Sequence, residues 1–174
     1  IPQIGAHIEE VEPGETSEDL AQISGYDHIA GTPEAFTSYA ATMADLSGVN
    51  LLQPRVGKKE TGNKSPILGR YGQGESVYLF DDVVTDGRTK IDAIEGLEAA
   101  GLDVGGYFVV LDRQEGGVPQ VLDETGIAIQ AALQVSNLVK MLRAENVYSV
   151  TQFDNVREYL SQYGDPNVVA AMGT

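Results

Sequence analysis

The chain has 174 residues, 42% of them hydrophobic, enough for one α/β domain with a sizeable core. Cysteine is absent, which excludes disulfides and thiolate metal sites; only His7 and His28 offer imidazole, so no zinc site is expected. A balance of 26 acidic against 11 basic residues gives a net charge of −15, which argues against nucleic-acid phosphates and anionic lipid as partners. No apolar run approaches ~20 residues and no signal-peptide pattern is found, so no membrane segment and a cytoplasmic location are expected. The start at Ile1 suggests a processed or trimmed chain. The acidity reads either as a salt-adapted, strongly solvated surface or as that of an ordinary acidic cytosolic protein.

Residues 1–19 are polar, with Glu9, Glu10, Glu12, Glu15, Glu18 and Asp19 crowded around Pro13-Gly14. They read as a loosely packed arm, followed by a short helix over 17–24 capped by Thr16 or Ser17. A strand is expected over 26–30, ending at Gly31-Thr32-Pro33-Glu34. A helix over 35–47 follows, with Phe36, Tyr39, Ala40, Met43 and Leu46 on one face. Gly48 stops it, and residues 50–53 make another strand.

Residues 55–74 hold Arg55, Lys58, Lys59, Lys64 and Arg70, five of the chain's 11 cations, among Gly57, Gly62, Gly69, Gly72 and Gly74. A loop this long inside an α/β domain is usually functional or disordered. Its cations, in so acidic a chain, point to an anion-handling lid; the alternative is a solvated flexible linker.

The sequence SVYLFDDVVTDGRT at 76–89 organises the rest. Val77, Tyr78, Leu79 and Phe80 form an unbroken apolar, β-prone run, the pattern of a strand buried on both faces of a parallel sheet. The run ends in Asp81 and Asp82, and a turn of Thr85-Asp86-Gly87-Arg88-Thr89 leads into a helical pattern. Free N–H groups at a helix N-terminus suit a phosphate, and paired carboxylates suit ribose hydroxyls or a hydrated Mg²⁺. An ordinary βα loop with an acidic N-cap would also show these residues.

A helix over 90–100, with Ile91, Ile94 and Leu97 inward and Gly101 as C-cap, leads to a buried strand over 104–111 and the loop Asp112-Arg113-Gln114-Glu115-Gly116-Gly117. Beyond it are expected a short helix over 119–124, an edge strand over 127–133, and helices over 137–145, 153–163 and 167–172. Strands alternating with helices predict a single α/β domain spanning 1–174, with a mainly parallel, doubly wound sheet flanked by helices. In such a sheet ligands sit outside the carboxyl ends of the strands, where the loops at 31–36, 55–74, 81–89 and 112–117 would converge. Together they offer N–H donors, two carboxylates and several cations, a set suited to a diphosphorylated sugar with Mg²⁺.

VYLFDDVVTDGRT resembles the phosphoribosyl-pyrophosphate signature of type I phosphoribosyltransferases. LDRQEGG at 111–117 is similar to the segment that marks the orotate phosphoribosyltransferases among them. RVGKKETG at 55–62 looks like that family's mobile catalytic loop, commonly written R-K-x-x-K-x-H-G. The resemblance runs from about Asp27 to the C-terminal helix and implies the type I phosphoribosyltransferase fold with a short or truncated N-terminal segment. It also implies Mg²⁺-dependent transfer of ribose 5-phosphate from phosphoribosyl pyrophosphate to orotate, a step of pyrimidine nucleotide biosynthesis.

On that resemblance, Asp81 and Asp82 would hold the ribose hydroxyls and meet the metal only through water or substrate. Thr85, Asp86, Gly87, Arg88 and Thr89 would bind the 5-phosphate, with Val83 and Val84 also among the substrate-binding residues. Lys59 and Arg55, with Lys58, would close over the pyrophosphate, and Thr32, Pro33 and Glu34 would lie beneath it. Arg113 would pair with the orotate carboxylate. The family's mobile loop reaches the neighbouring subunit's site, which implies a homodimer. The chain departs from the family pattern at Val56, where a Lys is usual, at Thr61, where a His is usual, and at Asp86 inside the phosphate turn. The family's N-terminal Lys and aromatic pair, which help bind orotate, have no counterpart here. A phosphoribosyltransferase for another base, and a non-catalytic phosphoribosyl-pyrophosphate-binding regulator, are the alternatives.

Overall fold

The computed structural model describes residues 23–33, 36–55 and 65–172. The arm expected over 1–19, most of the helix expected over 17–24, Glu34, Val56, Lys58, Lys59 and Thr61 lie outside the described residues. The strands are β1 (His28–Gly31), β2 (Asn50–Pro54), β3 (Ile67–Leu68), β4 (Ser76–Val84), β5 (Asp103–Asp112) and β6 (Ile129–Gln134), in the spatial order β3-β2-β1-β4-β5-β6. The helices are α1 (Thr37–Ser47), α2 (Arg88–Ala99), α3 (Gly117–Thr125), α4 (Val135–Ala144), α5 (Val150–Tyr163) and α6 (Pro166–Met172). Every pairing is parallel except that of β2 with β3. This is the mainly parallel, helix-flanked sheet that the alternation of elements predicts, with β6 at its edge.

The unbroken apolar run of β4 is explained by burial from both sides. Alternate side chains of a strand point to opposite faces. Val77 and Leu79 pack with Ile91, Ile94 and Leu97 of α2 and Val121 of α3. Tyr78 and Phe80 pack with Phe36, Ala40 and Ala44 at α1. A third cluster, centred on Val139, Leu160 and Met172, knits α4, α5 and α6 together.

Three local expectations change. First, β4 does not stop at Phe80: it pairs with β5 through Asp81↔Val109 and Val83↔Leu111 to Val84↔Asp112. Ladder hydrogen bonds from a long neighbouring strand override the local polarity of the two acids. Second, α1 turns Phe36, Ala40 and Ala44 inward, while Tyr39 and Leu46 are each 62% exposed. A Cβ at Gly31 would lie 2.8 Å from Ala40 Cβ, so helix and strand approach too closely for large residues, and the small ones take the seam. Third, the segment at 55–74 is not loop throughout, because β3 adds an antiparallel strand to β2 and the Arg55 N–H donates to Pro66 O (2.9 Å).

Helix ends follow the glycines. Gly48 closes α1 at φ 72°. After α2 the cap is Ala100, and Gly101 (φ 88°) follows it. The Gly101 N–H donates to Glu98 O (2.8 Å) and the Leu102 N–H to Leu97 O (3.2 Å), the paired bonds of a Schellman motif.

Gly105 and Gly106 in β5 make room for two tyrosine rings. A Cβ on Gly106 would lie 2.4 Å from Tyr78 Cε2, and Tyr78 in turn meets Tyr26 edge-on at 5.0 Å between centroids. Gly106→Ala should therefore overpack this seam and cost about 1–3 kcal/mol, lowering the urea midpoint. An unchanged midpoint would mean that the ring can move aside without penalty.

Candidate active site

The chain winds in opposite senses on either side of the β1–β4 boundary. From β1 it crosses by α1 on one face to β2, and from β4 by α2 on the other face to β5. Such a switch point opens a crevice at the carboxyl ends of the strands. Thr32, at the end of β1, ties its two sides together: its N–H donates to Phe80 O (3.0 Å) and its hydroxyl donates to the same oxygen (3.1 Å). Pro33 follows on the β1 loop, half-buried. His28 is buried at the other end of the strand and bonds Glu75 (Nε2–Oε2 2.7 Å), so it takes no part here.

Because β4 continues as a strand, its two acids lie on opposite faces of the sheet. Asp82 is exposed, on the face of Tyr78 and Phe80. Asp81 is 4% exposed, on the face of α2, and its Oδ2 forms an ion pair with the buried Lys90 ammonium from the first turn of that helix. The Asp82 N–H donates to Asp81 Oδ1 (2.8 Å), and the Tyr107 hydroxyl lies 3.5 Å from Oδ2. Burial alone would raise the Asp81 carboxyl; the Lys90 ammonium, the Thr32 hydroxyl and the Asp82 N–H outweigh it and hold it below the usual carboxylate range. Burial, together with the Asp81 charge, pushes the Tyr107 phenol far up. Lys90 also donates to Thr89 Oγ1 (3.3 Å), linking the acidic strand end to the helix start.

After Val84 comes the turn at 85–87. Gly87, at φ 81°, is the N-cap of α2, and no side chain bonds the helix end from that position. Asp86 is exposed; its Oδ1 accepts the Arg88 N–H (3.2 Å), with the Arg88 side chain 4.0 Å from its other oxygen. A bound phosphate would compete with this carboxylate for that N–H. The turn touches the neighbouring loop through its backbone: Gly117 N–H donates to Thr85 O (2.9 Å), and Arg113 N–H donates to Val84 O (3.0 Å). A Cβ on Gly87 would lie 2.8 Å from Gly117 O, so this approach admits only glycine.

The loop from Asp112 to Gly117 is held from three sides. Burial pushes the Asp112 carboxyl up, against the Gln114 N–H that donates to Oδ1 (2.7 Å). Gln114 has φ 59°; its Oε1 accepts the Ser136 N–H of α4 (2.9 Å) and its carbonyl accepts the Asp165 N–H (2.9 Å). Arg113 Nη2 donates to Glu115 Oε1 (2.7 Å) and to the Tyr159 hydroxyl of α5 (2.5 Å), with its guanidinium 5.5 Å from that ring's centroid.

The structure thus brings Thr32, Asp81 and the turn at 85–89 to one crevice beside Arg113. Arg55 stands at the end of β2, and Glu34, Lys58 and Lys59 lie outside the described residues. Sequence reading missed Lys90, Tyr107 and Tyr159, and it placed Gln114 and Glu115 in the loop at 112–117 without finding their partners. Lys90 had a signal: it falls on the inner stripe of α2 with Ile91, Ile94 and Leu97, where an unpaired ammonium would be costly. Tyr159, 46 residues from Arg113, had none. Among the described residues no group of three or more His, Cys, Asp and Glu side chains is placed to hold a metal ion. Of the two acids only Asp82 is exposed, and one open carboxylate fits a hydrated Mg²⁺ met through water better than a direct protein-held ion. Among the described residues no helix is long and apolar enough to cross a membrane.

No family model matches the chain. It is 30% identical over 139 residues to the orotate phosphoribosyltransferase of Natronomonas pharaonis, covering 78% of this chain and 80% of that protein. It is 34% identical over 111 residues to the orotate phosphoribosyltransferase of Halobacterium salinarum, covering 64% of this chain and 63% of that protein. Among solved structures it is similar to Leishmania donovani UMP synthase, with a TM-score of 0.71 at 32% identity over 84% of this chain and 32% of that one.

Lys90→Met should strand the buried Asp81 charge and cost about 3–5 kcal/mol at neutral pH, read by urea unfolding. In the wild type the lowered Asp81 carboxyl stabilises the fold above the unfolded-state pKa of about 3.9, a contribution lost as pH falls through the folded-state value. In the variant only the Thr32 hydroxyl and the Asp82 N–H remain against burial, the largest influence on this carboxyl, so its pKa should rise from the wild-type position. The stability lost on acidification should then shrink. A variant that keeps the wild-type pH dependence would show that Lys90 is not what holds Asp81 ionised.

Proposed function

The chain belongs to the orotate phosphoribosyltransferase family, and on that premise we propose that it transfers ribose 5-phosphate from phosphoribosyl pyrophosphate to orotate, giving orotidine 5′-monophosphate and pyrophosphate. The observation that carries this reading is the meeting, at one switch point, of the Asp81-Asp82 strand end, the Gly87-led start of α2 and the Arg113 loop.

Breaking the C1–O bond builds positive charge on the ribose and negative charge on the leaving pyrophosphate. The turn at 85–89 takes the 5-phosphate through N–H groups, hydroxyls and the helix dipole. Asp82 meets the ribose hydroxyls, while Asp81, held ionised by Lys90, keeps a fixed negative charge beneath the sugar. Arg113 receives the orotate carboxylate. Arg55, Lys58 and Lys59 close over the pyrophosphate, above Thr32, Pro33 and Glu34, and stabilise the leaving group. Asp82, and Asp81 behind it, would meet Mg²⁺ only through water or substrate, and the ion would supply charge neutralisation. The reading also carries a cytoplasmic homodimer in which the segment at 55–74 reaches the neighbouring site.

The test is loss of orotate absorbance with phosphoribosyl pyrophosphate and Mg²⁺ present. Loss that requires all three components supports the reading; no loss, with sugar-diphosphate binding intact, would move it to another base or to a regulator. Lys59→Ala should leave folding intact and cut turnover by about 10²-fold or more, the scale of losing one charge-stabilising donor. Near-normal turnover would sink the loop's role. The two acids should also separate. Asp82→Asn should weaken sugar-diphosphate binding in calorimetry at little cost in stability. Asp81→Asn should destabilise the fold by leaving the Lys90 ammonium buried and unpaired.

A further inference from the structure

Arg113 does not stand alone at the end of β5. Its Nη2 donates to Glu115 Oε1 (2.7 Å) and to the Tyr159 hydroxyl (2.5 Å), and that hydroxyl donates to the same Glu115 oxygen (3.0 Å). The three groups close a ring of charge-assisted hydrogen bonds. The Tyr159 ring adds a flat surface 5.5 Å from the guanidinium carbon and leans on Tyr163, 4.9 Å away between centroids. The bond from Tyr159 to Glu115 raises the phenol, so the hydroxyl keeps its proton and remains a donor to the carboxylate.

This arrangement has a geometric consequence. Among the described residues, every hydrogen bond of the Arg113 side chain runs through Nη2. Both hydrogens of that nitrogen are engaged, which stops rotation about the Cζ–Nη2 bond and leaves the N–H groups of Nη1 and Nε for a ligand. A long, flexible side chain is thereby ordered before anything binds, and affinity for a planar carboxylate improves because less freedom remains to be lost. The loop itself cannot supply this. Glu115 sits two residues away on the same backbone, whereas Tyr159 anchors the guanidinium to a separate helix, α5.

We propose that Tyr159 is a positioning residue for Arg113: with Glu115 it fixes the guanidinium in the orientation that receives the carboxylate of the base. This rests on the reading of Arg113 as the carboxylate's partner, so the experiment needs one arm that does not.

The first arm is steady-state kinetics of Tyr159→Phe, which keeps the ring and removes the hydroxyl. KM for orotate should rise roughly fivefold to tenfold, the scale of losing one ordinary hydrogen bond. Turnover and KM for phosphoribosyl pyrophosphate should stay within about twofold of wild type, the signature of a loss confined to one substrate's binding. The second arm is nitrogen-15 NMR of the arginine guanidinium groups without ligand. Arg113 should show slow Cζ–Nη rotation in the wild type and fast rotation in Tyr159→Phe. Unchanged orotate KM with unchanged rotation overturns the proposal. A lowered melting temperature with equal losses for both substrates also overturns it, marking Tyr159 as a packing residue alone. If the wild type does not consume orotate, the base reading fails instead, and the NMR arm still decides whether Tyr159 restrains Arg113.

Discussion

Parallel pairing of β4 with β5 runs beyond the apolar residues of β4, as far as Val84↔Asp112, and most of the crevice depends on it. Both strands leave the sheet at the same level, so the turn at 85–87 and the loop at 113–116 emerge side by side. Two backbone bonds, Arg113 N–H to Val84 O and Gly117 N–H to Thr85 O, then join them directly. Had β4 ended at Phe80, the two acids would lie on a loop and could point the same way. As strand neighbours they cannot, and their different burial and partners follow from the pleat.

Two of the crevice's ion pairs, Asp81–Lys90 and Arg113–Glu115, are energetically unlike. Asp81 and Lys90 are both buried, and removing one partner of such a pair costs several kcal/mol, about 3–5. Arg113 and Glu115 are more open to water, with the Arg113 side chain 39% exposed, and a pair in that setting is worth about 0–1 kcal/mol. A ligand carboxylate can therefore take a share of Arg113 at small cost, whereas no ligand displaces Lys90 without straining the fold. The first pair fixes the frame and the second remains available for exchange. Gln114 separates the two functions: through Ser136 and Asp165 it clamps the loop backbone, so an exchange at Arg113 need not move the strand end behind it.

What the sequence made legible was whatever local pattern decides. The all-apolar run at Val77–Phe80, the stripe of Ile91, Ile94 and Leu97, and the glycines at 48, 87 and 101 each mark a physical requirement of the neighbouring backbone. The existence and order of nearly all elements followed from these. What stayed hidden was set by partners distant in the chain. The extension of β4 required β5, and the inward turn of Ala40 and Ala44 rather than Tyr39 and Leu46 required the close approach at Gly31. Strand β3 is two residues long and carries no period of its own. In the crevice, Thr32, Asp81 and the turn at 85–89 were readable because strand, acid and glycine turn are contiguous. Tyr107 and Tyr159 were not, since only folding brings them to Asp81 and Arg113.

Charge ties the composition to the crevice. A chain of net charge −15 repels a polyanion at long range, yet its cations are not spread evenly. Among the described residues, Arg55, Arg88, Lys90 and Arg113 stand just beyond the carboxyl ends of β2, β4 and β5, whereas Arg70 follows β3 on the way to the start of β4. Screening at physiological salt confines exposed charges to about 8 Å, so an arriving phosphate responds to the nearest cations more than to the total. Lys90 is already committed to Asp81, and Arg88 lies beside Asp86. Arg113, whose pair with Glu115 is partly open to water, is the cation beside the turn at 85–89 with the least to lose when a carboxylate arrives.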